Sequence, residues 1–260
     1  MKKSTAVIVK IANILGLVCL FLLTAAYFAG STMLVQQEKG KVVCTHFHIE
    51  IVDSMAVQLV LQQDIRAFLK NNRIPIVGEK MVGINLHQLE QLVGQERGIK
   101  SCEVFTHLNG VLRLRITQRS PLFRLETPKG SYYLDESGLI FPTISQRTVY
   151  VPVVSGSVPV GDVSWMAQLL DFGRYVRNHR FWNAQIEQIY VHEPNHIELI
   201  QRVGTPTTVL MGNFNRFENK LQKLYTFYRT VAPAYGWDRY ECVDLRFLNQ
   251  IVCRKTTNQR

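Results

Sequence analysis

The sequence predicts an α+β protein that begins with a transmembrane helix, and three observations carry this prediction. An uncharged apolar run covers residues 11–30. After it, segments with the period-2 pattern of strands alternate with segments of helical spacing. With 47% hydrophobic and 19% charged residues, the composition is that of a folded chain and excludes global disorder. At 260 residues, the chain is long enough for one anchor and two modest domains.

The apolar run is predicted to cross a membrane once. Its 19 residues from Ile11 to Ala29, at about 1.5 Å of rise each, match a hydrocarbon core of roughly 30 Å. Three lysines and no acidic residue precede it, which makes residues 1–10 a short cytoplasmic tail and places the rest of the chain outside the cytoplasm. A cleaved signal peptide is the alternative, but the apolar run continues past the small residues 24–26 that would form the cleavage site.

The net charge of +10 is compatible with nucleic acid, anionic lipid or an acidic protein partner. The basic residues are scattered through predicted strands and helices, without a zinc-finger or RNP-type pattern. Nucleic acid is therefore not expected as a partner.

The first predicted domain has the order strand–helix–helix–strand–strand, with the elements at His46–Val52, Asp64–Asn72, Leu86–Gln95, Cys102–Leu108 and Val111–Thr117. Asn85 is placed to cap the second helix. Asn109 and Gly110 favour a two-residue type I′ turn between the last two strands. In the final strand Leu112, Leu114 and Ile116 alternate with two arginines, so one face of the sheet is predicted to be buried.

The second predicted domain is richer in strands, and Pro121 is expected to end the preceding hydrogen-bonded run. Strands are predicted at Tyr132–Leu134, Leu139–Pro142, Tyr150–Val154, Gln188–His192, Ile197–Arg202, Thr207–Met211, Val243–Phe247 and Gln250–Cys253. Helical spacing predicts helices at Val163–Asn178 and Asn215–Val231. Asp135 and Asp244 lie at a turn or strand edge, where turn formation or ion pairing accounts for them.

His192-Glu-Pro-Asn-His196 matches the H-E-x-x-H pattern of zinc metalloproteases. That chemistry requires both imidazoles on one face of a helix, whereas Pro194-Asn195 favours a turn and the flanking residues alternate as strands. A hairpin turn is therefore predicted. An extracytoplasmic, membrane-anchored, metal-dependent hydrolase that uses His192, Glu193 and His196 remains the alternative function.

The cysteines and the remaining histidines give no clear site. Cys44, His46 and His48 alternate on one predicted strand, nearly 7 Å apart, which is too far for all three to reach one metal. Cys242 and Cys253 lie on the last two predicted strands, and their positions depend on the register of that hairpin. They would face each other if the numbers of cross-strand partners add up to 495, and they would lie diagonally if these numbers add up to 497. The disulfide state of Cys44, Cys102, Cys242 and Cys253 stays open. No cofactor-binding motif is present, and none is expected.

Four stretches resemble, in their order and spacing, segments of the FtsQ/DivIB family of bacterial cell-division proteins. They are Gly83–Leu89, Gln118–Leu125, Tyr133–Pro142 and Val243–Phe247. The resemblance implies one transmembrane helix (11–30), a βααββ POTRA domain (42–120), a mixed, mainly antiparallel β-domain with two or more helices (121–255) and a tail (256–260).

The same resemblance implies a non-enzymatic scaffold of the division machinery. Such a protein lies in the inner (cytoplasmic) membrane at the septum, as a single-pass type II protein with most of its chain in the periplasm. It binds the FtsB–FtsL coiled-coil pair and other division proteins, and helps assemble and regulate septal peptidoglycan synthesis. The contact surface would comprise Phe247, Asn249, Gln250, Ile251, Val252, Cys253 and Arg254, since a free edge strand can accept a strand from another chain.

Overall fold

The computed structural model describes residues 16, 19–31, 42–52, 58–107, 109–144, 147–202 and 207–256. Residues 19–31 are helical. Within the described ranges, no helix has both the length and the apolar character needed to cross a membrane. The cytoplasmic tail (1–10), residues 11–15, 17 and 18 of the expected anchor, and residues 257–260 of the tail lie outside the described residues, so the transmembrane helix remains a prediction.

The chain forms two compact units. One comprises residues 1–51, 62–94 and 101–116, and the other comprises residues 52–61, 95–100 and 117–260. The domain bounds taken from the sequence, 42–120 and 121–255, remain a prediction.

A three-stranded sheet with the order β1-β3-β2 belongs to the first part of the chain. Its elements in chain order are β1 His46–Ile51, α1 Gln62–Asn71, α2 Leu86–Gly94, β2 Ile99–Thr106 and β3 Val111–Gln118. β1 runs parallel to β3, with His46 opposite Val111. The predicted strand–helix–helix–strand–strand order is confirmed. So is the buried face of β3, because Leu112, Leu114 and Ile116 have no exposed surface.

Two local signals in this sheet have different outcomes. The Asn85 Oδ1 accepts a hydrogen bond from the Gln88 amide at 3.0 Å, so the predicted cap of α2 is confirmed. The predicted two-residue Asn-Gly turn is wrong, because the ladder closes earlier, with the His107 amide donating to the Val111 carbonyl. The Gly110 amide donates to His107 O and Gly110 has φ of 78°, which suits a glycine that follows a type I turn.

The second unit is built on a nine-stranded sheet with the order β12-β11-β10-β9-β8-β7-β4-β5-β6. Its strands are β4 Pro121–Thr127, β5 Gly130–Asp135, β6 Ile140–Pro142, β7 Val153–Gly156, β8 Ile186–Glu193, β9 His196–Gln201, β10 Thr208–Gly212, β11 Tyr240–Asp244 and β12 Val252–Lys255. Three strand pairs are parallel and the other five are antiparallel, which confirms the predicted mixed, mainly antiparallel sheet. Pro121 begins β4, a strand that was not predicted, since proline is tolerated as the first residue of a strand.

Helices cover this sheet. They are α3 Val163–Asn178, α4 Arg180–Gln185, α5 Phe217–Thr226 and α6 Ala232–Tyr235, with a π-helical turn at Phe227–Val231 between the last two. α3 has the predicted bounds and is capped by Asp162, whose Oδ1 accepts from the Trp165 amide at 3.0 Å. The predicted helix Asn215–Val231 starts two residues later, because Arg216 adopts a left-handed conformation with φ of 53°. The short helix α4 was not predicted.

A close approach between α3 and β4 organises the core. Gly173 lies in α3 against the ring of Phe123, and a Cβ on this glycine would be 2.3 Å from the Phe123 Cε2. Both residues belong to the core that also contains Trp165, Phe172 and Phe214. The missing side chain of Gly173 therefore allows the helix to pack directly on the sheet.

We predict that Gly173→Ala destabilises the second unit by about 1–3 kcal/mol, although alanine is the better helix former, because the helix or the Phe123 ring must move. Urea unfolding followed by tryptophan fluorescence measures this, since all three tryptophans lie in the second unit. Gly161→Ala is the matched control. A Cβ there meets nothing within 4 Å, and the change should stay within about 0.5 kcal/mol. Equal effects of the two variants would contradict the packing argument.

Candidate partner-binding edge

In the last hairpin the first strand lies three residues earlier than the sequence suggested, and the second strand lies two residues later. β11 covers Tyr240–Asp244 and β12 covers Val252–Lys255, whereas strands were predicted at Val243–Phe247 and Gln250–Cys253. The tight turn expected at residues 248–249 is therefore a seven-residue loop, 245–251. Leu245 is buried and its amide donates to the Leu210 carbonyl at 2.9 Å, so β11 extends in contact with β10 for one residue before the loop turns away.

The register of this hairpin matches neither of the two that were considered. Cys242 lies opposite Arg254, Val243 opposite Cys253, and Asp244 opposite Val252, so paired residue numbers sum to 496. Because side chains alternate between the faces of a sheet, Cys242 and Cys253 point to opposite faces and cannot bond to each other. Both are free thiols, as are Cys44 and Cys102, and burial raises the pKa of each of the four.

β12 is the terminal strand of the sheet and, among the described strands, has a neighbour on one side only. The Leu245 amide points to β10, so by alternation the amides of Cys242 and Asp244 point to β12. Their cross-strand partners, Arg254 and Val252, return these bonds. The amides of the alternate residues Cys253 and Lys255 consequently face the open edge, and we expect the amide of Ile251, immediately before β12, to face it as well.

The predicted contact residues occupy both the loop and this strand. Phe247, Asn249 and Gln250 lie in the loop and are exposed, Ile251 immediately precedes β12, and Val252, Cys253 and Arg254 lie within it. The exposed apolar surface comes from Phe247, Leu248 and Val252, which are 44%, 68% and 43% exposed. The sequence reasoning missed Leu248, because it assigned this residue to a tight turn.

Within the Val243-Asp-Leu-Arg246 stretch, Asp244 and Arg246 form an ion pair at the start of the loop, which is called the Asp244 clasp below. The Asp244 carboxylate accepts bonds from the Arg246 amide at 3.0 Å, from Nε at 2.9 Å and from Nη2 at 2.6 Å. Burial by itself would raise the pKa of Asp244, but these bonds and the nearby Lys223 outweigh it and lower the pKa below its ordinary value. The clasp accounts for the turn-or-ion-pair role expected of Asp244.

A second basic residue holds the loop from the helix side. Lys223 in α5 donates through Nζ to the carbonyl of Phe247 and, at 3.3 Å, to that of Gln250. One turn earlier, the Lys220 Nζ donates to the Met211 carbonyl at 3.0 Å and to the Asn213 carbonyl at 2.8 Å. Burial, and then the charge of Lys223, lower the pKa of Lys220 to about 8. Lys220 and Lys223 line one recess together with Arg216, Arg246, Phe247 and Leu248.

Asp135 has the structural role expected of it. It is buried at the end of β5, where it accepts bonds from the Ser137 amide, the Ser137 hydroxyl, the Leu139 amide and the Arg119 guanidinium. Burial by itself would raise the pKa of Asp135, but these bonds outweigh it and the pKa is lowered. The residue is therefore a turn acceptor.

The histidine-rich pattern is a hairpin, as predicted. His192 and Glu193 end β8, His196 begins β9, and Glu193 lies opposite His196. The helix that H-E-x-x-H chemistry requires is not formed at these residues. His46 and His48 lie on β1, and neither belongs to the group of possible metal ligands found among the described residues.

Comparison with known protein families shows which family this chain belongs to. The family described as "FtsQ/DivIB, C-terminal related" matches residues 120–254, which is just over half of the chain. The chain belongs to the FtsQ/DivIB family. A POTRA-like domain matches residues 42–117, in agreement with the fold expected for this part of an FtsQ/DivIB protein.

A curated relative supports the same relationship. The chain is similar to a "Cell division protein FtsQ" from Geotalea daltonii (strain DSM 22248 / JCM 15807 / FRC-32), with 21% identity over 188 residues, 68% of this chain. The match spans 66% of that relative, slightly less than two thirds of its length. Membership of the FtsQ/DivIB family indicates a cell-division protein.

The Asp244 clasp predicts a pH-dependent contribution to stability. Since the folded-state pKa of Asp244 is lowered, its contribution is complete above the unfolded-state pKa, about 3.9, and is lost as the pH falls through the folded-state value. Asp244→Asn should therefore lower the free energy of unfolding by about 1–2 kcal/mol at pH 7, and by much less near pH 3. Urea titrations at the two pH values measure this.

The matched control is Asp171→Asn, which removes a well-exposed ion pair with Arg174 in α3 and should change stability little at either pH. A deficit of the Asp244→Asn variant that is equal at both pH values would contradict the role of the carboxylate charge.

Proposed function

We propose that this protein is a single-pass scaffold of the bacterial division machinery that binds the FtsB–FtsL coiled-coil pair through the open edge of β12. In this role it helps assemble and regulate septal peptidoglycan synthesis and performs no catalysis itself. The observation that carries the proposal is the position of β12 at the end of a nine-stranded sheet, next to exposed apolar side chains. Family membership supports the division role.

The open edge suits an extended segment of a partner. The outward amides of Ile251, Cys253 and Lys255 and the carbonyls between them repeat at the spacing of a strand, so a partner segment can add as a tenth strand through backbone bonds. Val252 and Arg254 offer side chains on one face of this strand, and Ile251 and Cys253 on the other. Backbone bonds supply the affinity, and the alternating side chains supply the specificity.

Charge favours an acidic segment at the loop end of this edge. Arg216, Lys220, Lys223 and Arg246 line the recess beside Phe247 and Leu248, and the chain carries a net charge of +10. The carboxylate of Asp244 is already engaged by Arg246, so it does not offset the whole cluster. An acidic side chain of the partner near this recess would gain from the local potential.

The proposed contact surface is the one suggested by the sequence, enlarged by Leu248. It comprises Phe247, Leu248, Asn249, Gln250, Ile251, Val252, Cys253 and Arg254. The Arg254 guanidinium pairs across the strands with Glu241, so in the free protein its head group is held beside β11. Such an exposed pair is worth little and can rearrange when a partner binds.

The proposed location is the inner membrane at the division septum, with a helix near residues 11–30 as the anchor and most of the chain in the periplasm. The hydrolase alternative is not proposed. H-E-x-x-H hydrolases carry both histidines and the glutamate base on one helix, whereas His192, Glu193 and His196 lie on a strand hairpin here.

We predict that Ile251→Pro weakens binding of the purified FtsB–FtsL pair from the same bacterium by at least about tenfold, or about 1.4 kcal/mol. Proline removes an outward amide, whereas the β11–β12 ladder uses the inward amides of Val252 and Arg254 and should survive. Isothermal titration of the full chain in detergent measures the affinity, and circular dichroism checks the fold.

Ile251→Val is the matched control, since it keeps the amide and most of the side chain, and it should bind like the parent protein. Val252→Pro removes an inward amide and should instead lower the thermal midpoint. Binding of the Ile251→Pro variant at parental affinity would contradict strand addition at this edge.

The cellular role is tested by depletion. We expect cells depleted of the protein to grow as filaments, and a fluorescently tagged copy to gather at mid-cell, because a division scaffold is needed for septation and not for growth. Complementation with the Ile251→Pro and Ile251→Val variants connects this phenotype to the edge. Cells of normal length after depletion would contradict the proposed function.

A further inference from the structure

The hairpin of β8 and β9 brings together three side chains that can ligate metals. His192 lies near the end of β8, and His196 and Glu198 lie two residues apart on β9, on the same face. One ligand atom of each residue lies within 4.8 Å of the other two, and the His192 Nε2 is 3.0 Å from the Glu198 Oε1. The two imidazole rings have centroids 4.7 Å apart.

This set differs from the one that the sequence pattern suggested. The H-E-x-x-H reading used Glu193, whereas the acidic member of the spatial cluster is Glu198, five residues beyond the motif's own glutamate. Cross-strand pairing explains the difference. Glu198 lies opposite Tyr190, so His192, two residues further along β8 on the same face, is its diagonal neighbour across the hairpin, and no spacing rule for helices would find this residue.

The donor chemistry points to a particular class of ion. Two imidazole nitrogens and one carboxylate form the three-protein-ligand set that zinc uses with a water at the fourth position. In a tetrahedral site with bonds of about 2.0–2.1 Å, ligand atoms lie about 3.3 Å apart. The ligand atoms lie within 4.8 Å of one another, so closure of the site requires shifts of about 1.5 Å, a distance that rotation of the exposed His192 and His196 side chains can cover. Harder ions such as Mg²⁺ and Ca²⁺ prefer oxygen ligands and would not select two imidazoles.

The scaffold under these side chains is held firmly. β8 and β9 lie inside the sheet, flanked by β7 and β10. The turn between them is fixed by the Trp165 indole, whose Nε1 donates to the Pro194 carbonyl at 3.1 Å. The Tyr190 ring packs edge-on against His192, with 4.7 Å between the ring centroids. Such support limits the conformational entropy lost when a metal binds.

We propose that this protein binds one divalent first-row transition-metal ion, with Zn²⁺ as the representative, through His192, His196 and Glu198, and that water completes the coordination. The ion links two neighbouring strands of the native sheet, so it stabilises the folded protein. The site belongs to a hairpin that is separated from β12 by β10 and β11, and it is independent of the proposed division role.

The test uses the full chain in detergent, without a histidine tag, after treatment with a chelator. Isothermal titration with ZnCl₂ at pH 7.5 should give one ion per chain, and ZnCl₂ should raise the thermal midpoint. His192→Gln and Glu198→Gln should each weaken this binding by at least about 100-fold, since even the loss of an outer-shell partner costs 10–100-fold.

Two matched controls decide which residues hold the ion. Glu193→Gln changes the acid of the H-E-x-x-H pattern and should leave the affinity unchanged, as should His46→Gln on β1. His46, His192, Glu193 and Glu198 are all at least partly exposed, so these variants should fold, and circular dichroism checks that they do. His196→Gln serves as a third ligand variant. Absence of zinc binding by the parent protein, parental affinity in the His192→Gln or Glu198→Gln variant, or loss of binding in Glu193→Gln would each overturn the proposal.

Discussion

The parallel pairing of β10 with β11 determines how the rest of the C-terminal edge is arranged. Thr208 lies opposite Cys242 and Leu210 opposite Asp244, and the Leu245 amide continues this ladder by donating to Leu210. Two consecutive strands can be parallel only when the connection crosses back over the sheet, and α5, the π-helical turn and α6 make this crossing here. With β11 placed inside the sheet, the short return to β12 can only add a strand at the outer edge.

The shape of the loop between β11 and β12 depends on charged groups rather than on turn-forming residues. Asp244 holds the Arg246 backbone and guanidinium, while Lys223 holds the carbonyls of Phe247 and Gln250. Between these two attachments the chain bulges outward, so that Phe247 and Leu248 remain exposed although Leu245, two residues earlier, is buried. Exposed apolar side chains beside an open strand edge are what a strand-adding partner would cover, and the surrounding basic groups would suit an acidic one.

The two proposed sites use the same sheet in different ways. The outer edge of β12 has no neighbour among the described strands, whereas β8 and β9 are paired on both sides and offer only side chains. Interior strands are the more rigid ones, which favours the fixed geometry of metal ligands. A terminal strand can adjust its outer hydrogen bonds, which favours capture of another chain. Variants at one site should therefore leave the other intact.

The sequence by itself determined the features that depend on neighbouring residues. Helix α3 has the predicted bounds because its cap and apolar spacing lie within the segment, and Leu112, Leu114 and Ile116 are buried as their alternation predicted. The turn at Pro194-Asn195 likewise excluded a helical H-E-x-x-H site. Only the tertiary structure decided which strands pair and in which register. The register sum of 496, the opposite faces of Cys242 and Cys253, and the meeting of Glu198 with His192 all result from bonds to a neighbouring strand. A local pattern can predict that a segment is a strand. A shift of one residue in its pairing, however, moves every side chain of the strand to the other face of the sheet, and long-range hydrogen bonds and burial select among such shifts.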